Sequence, residues 1–518
     1  GAAGFAGGSA VVAKIAAPLL ALPIPGARIM YGALVLGGGF LGEQTAKSVL
    51  DAIMGVFGKK TTKAEKVEPA STSTESEDII EEEKPISLDG ISLALGEDKS
   101  NLINPIDTNR NLIASNISSL EEPAPDIVTL PMGGNITGGS GGSSAPSTND
   151  LAQFIEEIKS AKNPILILGG SVWSNDAAKD LESISEMLGL TILTSHRRQS
   201  FYNNLHENYG GDLGLGVNPK LIERINKSDY LVLLGGRLSE NPSQGFSLFG
   251  IPEHNNRVVH IHPGPEEIGR IYKPHLGIPC SPISFANALN NALKGLNTKP
   301  SSENQTNTNQ AHEEYLEWGN MPLEAPNSGV DLTSAFRSLR ENLEPNTIIT
   351  NGAGNYAVWG HRLFRFSQFR TQLAPISGSM GYGLPAAIAA KLRHPNQTVI
   401  ALAGDGCFQM TENEFATAVQ YNAAVIVFVI DNEMYGTIRM HQHKNYKGKY
   451  KHTGLINPDF NKLAVAMGGQ GYTVNNTEDF MNIFNDAKDW TSKNNLPALL
   501  HIKTGSEMVL PGKRFNSL

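Results

Sequence analysis

Short unbroken apolar runs separated by polar, helix-spaced stretches dominate the chain from about residue 151 onward. The runs at 164–168, 191–194, 230–234 and 258–261 are continuous and rich in Ile, Leu and Val, which predicts strands buried on both faces. The first ends in the glycine turn Gly169-Gly170, and Ala178, Leu181 and Ile184 give the stretch after it one apolar face. Strands alternating with helices at this spacing predict a doubly wound α/β domain over 151–298. The same alternation returns at 330–518. An amphipathic helix over 330–343, a strand at 347–350 and the glycine-rich turn Asn351-Gly-Ala-Gly-Asn355 open that domain, and strands at 398–403 and 425–430 follow. Between those two, Thr411 and Glu414 have the spacing of a helix capping box, with Phe415, Ala418 and Val419 on one apolar face. The polar stretch at 299–329 reads as a linker between the domains.

Ahead of residue 151 the pattern changes. Residues 1–58 are Gly/Ala-rich and apolar, with Pro18, Pro23 and Pro25 breaking a first helix and 29–57 able to form a second. Their uncharged stretches, 15–27 and 29–42, fall short of the ~18 residues expected of a membrane span, and no basic region precedes them as in a signal peptide. A helical segment packed internally, against a partner or on a membrane surface fits this pattern. From 59 to 150 Ser, Thr, Glu, Asn and Gly take over, with the acidic run Glu81-Glu82-Glu83 and a Gly/Ser tract at 133–147, which predicts a disordered linker. The chain opens at Gly1 without a methionine, so a fragment or a processed product is expected.

A strand, helix, strand unit crosses over right-handed, so 398–403 and 425–430 end on the same carboxyl edge of a sheet, where open α/β sheets bind ligands. The residues placed there are Gly404-Asp405-Gly406 and Asp431-Asn432. A carboxylate from Asp405 and an amide oxygen from Asn432 suit magnesium, which takes hard oxygen ligands, and the glycines let a phosphate approach. Gly-Asp-Gly followed by this Asn resembles the diphosphate and magnesium motif of thiamine diphosphate (ThDP) enzymes. Gly378-Ser-Met-Gly-Tyr-Gly-Leu-Pro-Ala-Ala387 resembles the acetolactate synthase branch of that family.

The resemblance implies two doubly wound parallel-sheet domains, the ThDP central domain at 151–298 and the diphosphate-binding domain at 330–518. It implies a ThDP- and magnesium-dependent enzyme that decarboxylates a small 2-oxo acid and makes or breaks a carbon–carbon bond, the cofactor carrying the carbanion chemistry. Asp405, Asn432 and the backbone oxygen of Met434 then become metal ligands. Gly354, Asn355, Gly404 and Gly406 face the diphosphate, and Met380 props the bent cofactor. His441 and His443 are expected on a helix facing the site; relatives that make acetolactate for amino-acid synthesis carry a tryptophan near position 441. In the central domain, Gly235-Gly236-Arg237-Leu238 matches the place where relatives set an arginine on FAD or ADP. His262 stands where many of them have an aspartate, which argues against FAD.

The family's chemistry also needs a glutamate on a pyrimidine-binding domain, usually a partner subunit's, to activate the aminopyrimidine. Glu43, in Glu43-Gln44-Thr-Ala46 with Gly58-Lys59 after it, has the spacing of that helix, yet no strand or glycine turn follows it. A homo-oligomer, or a partner chain supplying the pyrimidine-binding domain, is therefore expected.

Composition narrows the picture further. A net charge of -9 and the lack of a basic cluster with interleaved aromatics argue against nucleic acid. Cys280 and Cys407 are the only cysteines, each inside an apolar segment, which fits buried thiols in a reducing, cytoplasmic setting. The competing reading is a non-catalytic protein with a ThDP-type fold whose amino-terminal segment assembles or binds a membrane.

Overall fold

The structure is a computed structural model that describes residues 145–254, 256–446 and 448–517. The apolar segment expected over 1–58, Glu43 within it, and the expected disordered stretch as far as residue 144 lie outside the described residues. The end of that stretch is already ordered as the start of α1 (Thr148–Ser160), because the Ser147 hydroxyl accepts from the Asp150 N–H and Phe154, Ile155 and Ile158 form a buried stripe.

The first domain continues with β1 (Pro164–Leu168), α2 (Asn175–Leu188), β2 (Thr191–Ser195), β3 (Tyr209–Leu213), α3 (Pro219–Lys227), β4 (Tyr230–Leu234), β5 (Arg257–His262), β6 (Leu276–Pro279) and α4 (Pro282–Gly295). Its six strands pair in parallel in the order β3-β2-β1-β4-β5-β6, so the winding reverses between β1 and β4. The central strands β1 and β4 are buried at every position, as their unbroken apolar sequences require.

The stretch expected to be a linker at 299–329 is a helix over most of its length, α5 (Ser302–Asn320). Its buried stripe is Asn304, Thr308, Ala311, Tyr315 and Gly319, spaced as a helix face but mostly polar or small. The polar members bond the first domain directly. Asn304 Nδ2 donates to Ala161 O at 3.2 Å, Thr308 Oγ1 to Gly189 O at 2.9 Å, and Arg224 and Glu314 form a largely buried ion pair.

The second domain runs through α6 (Leu332–Asn342), β7 (Ile348–Asn351), α7 (Tyr356–Leu363), β8 (Gln372–Leu373), α8 (Gly383–Arg393), β9 (Val399–Gly404), α9 (Asp405–Phe408), α10 (Glu414–Gln420) and β10 (Ile426–Asp431). It ends with α11 (Gly436–Tyr446), α12 (Phe460–Ala466), β11 (Gln470–Val474), α13 (Phe480–Asn494), β12 (Ala498–Lys503) and a small hairpin of β13 (Met508–Leu510) and β14 (Lys513–Arg514). Six of these strands form a second parallel sheet in the order β11-β12-β10-β9-β7-β8. Alternate residues of β10 feed opposite cores. Ile426, Phe428 and Ile430 pack with α13 on one side, and Val427 and Val429 with α12 and Phe415 on the other. Register sets Ile430 beside Gly404, so β9 and β10 finish level at the carboxyl edge.

The two domains are joined by polar bonds between buried groups. Gln199 and Gln372 are linked side chain to side chain at 2.6 Å, the Asn204 amide oxygen accepts from Phe366 N at 2.9 Å, and the buried guanidinium of Arg197 donates to the Pro375 carbonyl. Cys280 and Cys407 are both buried. Among the described residues no helix is long and apolar enough to cross a membrane.

Candidate cofactor site

Turns after β7, β9 and β10, with the loop that precedes α8, close around a cavity of about 220 Å³ at the carboxyl edge of the second sheet. Eight residues singled out in the sequence line it together: Gly354, Asn355, Met380, Gly404, Asp405, Gly406, Asn432 and Met434. The first turns of α7 and α11 face it as well, through Tyr356 on one and Gly436, Thr437 and Ile438 on the other. Asn355 precedes α7 without capping it, because its side chain accepts from Thr437 Oγ1 at 2.8 Å instead. Two helix amino termini therefore turn their N–H groups and the positive ends of their dipoles towards one space, which suits an anion.

Asp405 sits at the base of the cavity with 2% of its surface exposed. Its Oδ1 accepts from Gly406 N at 2.8 Å, and its Oδ2 from Met434 N at 3.2 Å and Asn457 Nδ2 at 2.8 Å. Burial pushes its carboxyl up to about 6, against the pull of the Asn457 and Gly406 bonds. The neighbouring Asp431 is as deeply buried but differently surrounded. His501 Nε2 lies 2.7 Å and Lys503 Nζ 2.5 Å from its Oδ2. Burial raises this carboxyl, and the bonds from His501 and Lys503 outweigh that and hold it below the usual carboxylate range. Asp431 has its counter-charges within the chain, whereas Asp405 is bonded by neutral donors alone.

The glycines have a tighter reason than room for a ligand. A Cβ on Gly354 or Gly404 would lie 2.7 or 2.8 Å from the Tyr356 ring, and one on Gly406 would lie 2.4 Å from the Tyr435 ring. The capping box expected from Thr411 and Glu414 does not form. The Thr411 hydroxyl donates to Gly381 O at 2.8 Å, tying the loop before α8 to the one after α9, and α10 starts without a side-chain cap. His441 and His443 do lie on a helix, α11, but not at the cavity. Only its first turn reaches there, and each further turn carries the chain about 5.4 Å away. His441 is exposed, and His443 Nδ1 is 2.6 Å from Tyr450 OH with the two rings stacked.

Arg237 is in a different place, a cavity of about 420 Å³ at the carboxyl edge of the first sheet, where its winding reverses. There it is half-exposed and 3.4 Å from Glu267, while His262 Nδ1 accepts from Gly264 N at 3.0 Å. Asn457 and the two tyrosines were not singled out in the sequence, and Asp431 was placed at its strand end without a role. The only local signal at Asn457 is the proline after it, which marks an extended or turn residue and nothing more.

Residues 151–289 match the family model of the thiamine pyrophosphate enzyme central domain, and residues 352–502 that of the carboxyl-terminal thiamine pyrophosphate-binding domain. The chain belongs to the ThDP enzyme family. Within the family it is similar to the acetolactate synthase large subunit of Cyanidium caldarium, 26% identical over 380 residues that cover 70% of this chain and 64% of that protein. The large subunit of Porphyra purpurea is 27% identical over 368 residues, 69% of this chain and 60% of that protein. That of Corynebacterium glutamicum is 27% identical over 357 residues, 67% and 56%. The chain thus spans less than two thirds of the length of these ThDP relatives.

The residues present fit the family's cofactor on grounds of their own. A carboxylate buried to 2% exposure and bonded by neutral donors alone lacks a counter-charge, and a divalent cation beside Asn432 would provide one. Among the described residues no three His, Cys, Asp or Glu come together as a metal cluster. An Asp, an amide and a carbonyl would hold magnesium only with phosphate oxygens and water completing its shell, which is how that ion is usually held.

Proposed function

We propose that the chain is a ThDP- and magnesium-dependent enzyme that decarboxylates a small 2-oxo acid and forms or breaks a carbon–carbon bond. The observation that carries this reading is the Asp405 carboxylate, buried without a counter-charge between two helix amino termini that favour an anion. Asp405, Asn432 and the Met434 carbonyl hold Mg2+, and the first turns of α7 and α11 receive the diphosphate. ThDP, when bound, supplies the electron sink for the carbanion chemistry.

The chain's own residues orient and enclose. Met380 lines the cavity and would give a bound cofactor an apolar support. Thr437, through its bond to Asn355, fixes α11 against the turn after β7, so that both amino termini keep aiming at one point. Tyr356 and Tyr435 pack on the bare glycines and leave the turns after β7 and β9 one backbone path. The glutamate that would activate the aminopyrimidine is Glu43, of the same or a second copy, or belongs to a pyrimidine-binding domain of a different chain.

The test is CO2 release and C–C bond formation from pyruvate, assayed on the full chain alone and with a candidate partner subunit. Turnover that requires both ThDP and Mg2+ and vanishes in Asp405→Ala is the expected result. Turnover that survives removal of ThDP would contradict the assignment. Activity of the chain alone that persists in Glu43→Gln would contradict the stated source of the glutamate.

A further inference from the structure

Behind the metal-ligand turn lies a short strap with no assigned role. After α11 the chain doubles back and lays 453–455 against 433–435: Tyr435 N donates to Thr453 O at 3.0 Å and Leu455 N to Glu433 O at 2.9 Å. The strap delivers Asn457 into the gap between the ends of β9 and β10. One nitrogen of that side chain then bonds two carboxylates, Asp405 Oδ2 at 2.8 Å and Asp431 Oδ1 at 2.7 Å. Gln409 Nε2 donates to the Asn457 amide oxygen at 3.0 Å, which fixes the amide's orientation, because only its NH2 end can face the two acids.

We infer that Asn457 is a positioning residue that sets the plane of the Asp405 carboxylate for its metal ion, an inference that rests on the ThDP and Mg2+ reading above. Asp405 and Asp431 are 2% and 1% exposed and share one amide nitrogen, so without that donor between them the two like-charged groups would repel. The amide gives each acid one of its two hydrogens, so both stay in place. Asp431 needs nothing more, since His501 and Lys503 already face its other oxygen. For Asp405, Met434 N and Asn457 occupy Oδ2 and Gly406 N takes one lone pair of Oδ1, which leaves the second lone pair of Oδ1 for a cation. Groups that hold a metal ligand in place in this way commonly change metal affinity 10- to 100-fold when removed.

The experiment titrates Mg2+ against ThDP binding, followed by calorimetry on the full chain, in wild type, Asn457→Leu and Gln409→Leu. Asn457→Leu keeps the volume and loses both donors. The Mg2+ concentration for half-maximal ThDP binding should rise about tenfold or more in it, and excess Mg2+ should restore the ThDP affinity. Gln409→Leu, which frees the far end of the amide and removes the long 3.4 Å bond from Gln409 Nε2 to the Asp405 carbonyl, should move the midpoint the same way by less. An unmoved midpoint in folded Asn457→Leu overturns the inference, and if that variant does not fold, an unmoved midpoint in Gln409→Leu does so. A lost ThDP affinity that excess Mg2+ does not recover means general loosening and overturns it too. If the wild-type chain itself fails to bind ThDP with Mg2+, the cofactor reading falls first, and that outcome is distinct from normal wild-type binding with unmoved variants.

Discussion

Single residues at the join between the two domains carry a pH dependence whose sign can be worked out. His361 is buried, with Nε2 3.1 Å from Asn351 Oδ1, and burial, then the Arg197 and His196 charges, lower its proton affinity from 6.5 to about 3. Its contribution to stability is therefore whole above pH 6.5. As pH drops below that, the unfolded chain takes up the proton and the folded chain does not, so stability falls by up to about 1.4 kcal/mol per pH unit. His196 acts in the same direction and Asp212, pushed up to about 7 by burial, in the opposite one. A single-variant comparison isolates the histidine: between pH 7 and pH 5.5, denaturant melts of His361→Gln should lose about 1 kcal/mol less than wild type. Equal losses in both proteins would mean that the folded chain protonates His361 freely.

At the scale of elements, the strands that the sequence made plain are the ones buried on both faces. β1, β4, β9 and β10 are unbroken apolar runs, and their predicted limits lie within one residue of those observed. Edge and outer strands were not legible. β3 is Tyr-Gly-Gly-Asp-Leu and β6 is Leu-Gly-Ile-Pro, and each becomes a strand only because a neighbour offers its ladder. α5 was misread for a related reason. Its inner stripe docks through hydrogen bonds from Asn304 and Thr308 as well as through Ala311 and Tyr315, so its periodicity carries only a weak hydrophobic signal. If α5 is docked as described, a glutamate-specific protease should spare Glu303, Glu313, Glu314 and Glu317 in the native protein. Ala311→Asp, at a position 1% exposed, should cost about 3 kcal/mol and open those sites to cleavage. Rapid cleavage of the wild type at 302–320 would contradict the docking.

At the scale of the molecule, the candidate site was legible where chemistry and topology coincide. The motif residues Asp405 and Asn432 stand at adjacent strand ends, and register alone brings them together. The residues that hold Asp405 and the neighbouring Asp431 were not legible, because Asn457, His501 and Lys503 arrive from loops and strands far along the chain. The histidines of α11 were expected on a helix facing the site, and they are on that helix but past the turn that lines the cavity. Two ThDP-family domains account for 151–289 and 352–502, and the relatives are longer than this chain.

The most direct test of the central claim is isothermal titration of ThDP into the full chain, with and without Mg2+, in wild type and Asp405→Ala. Heat of binding that appears only with Mg2+ in the wild type, and is lost in Asp405→Ala, is the predicted result. Equal binding by the two proteins would contradict the claim that Asp405 anchors the metal and the diphosphate in this cavity.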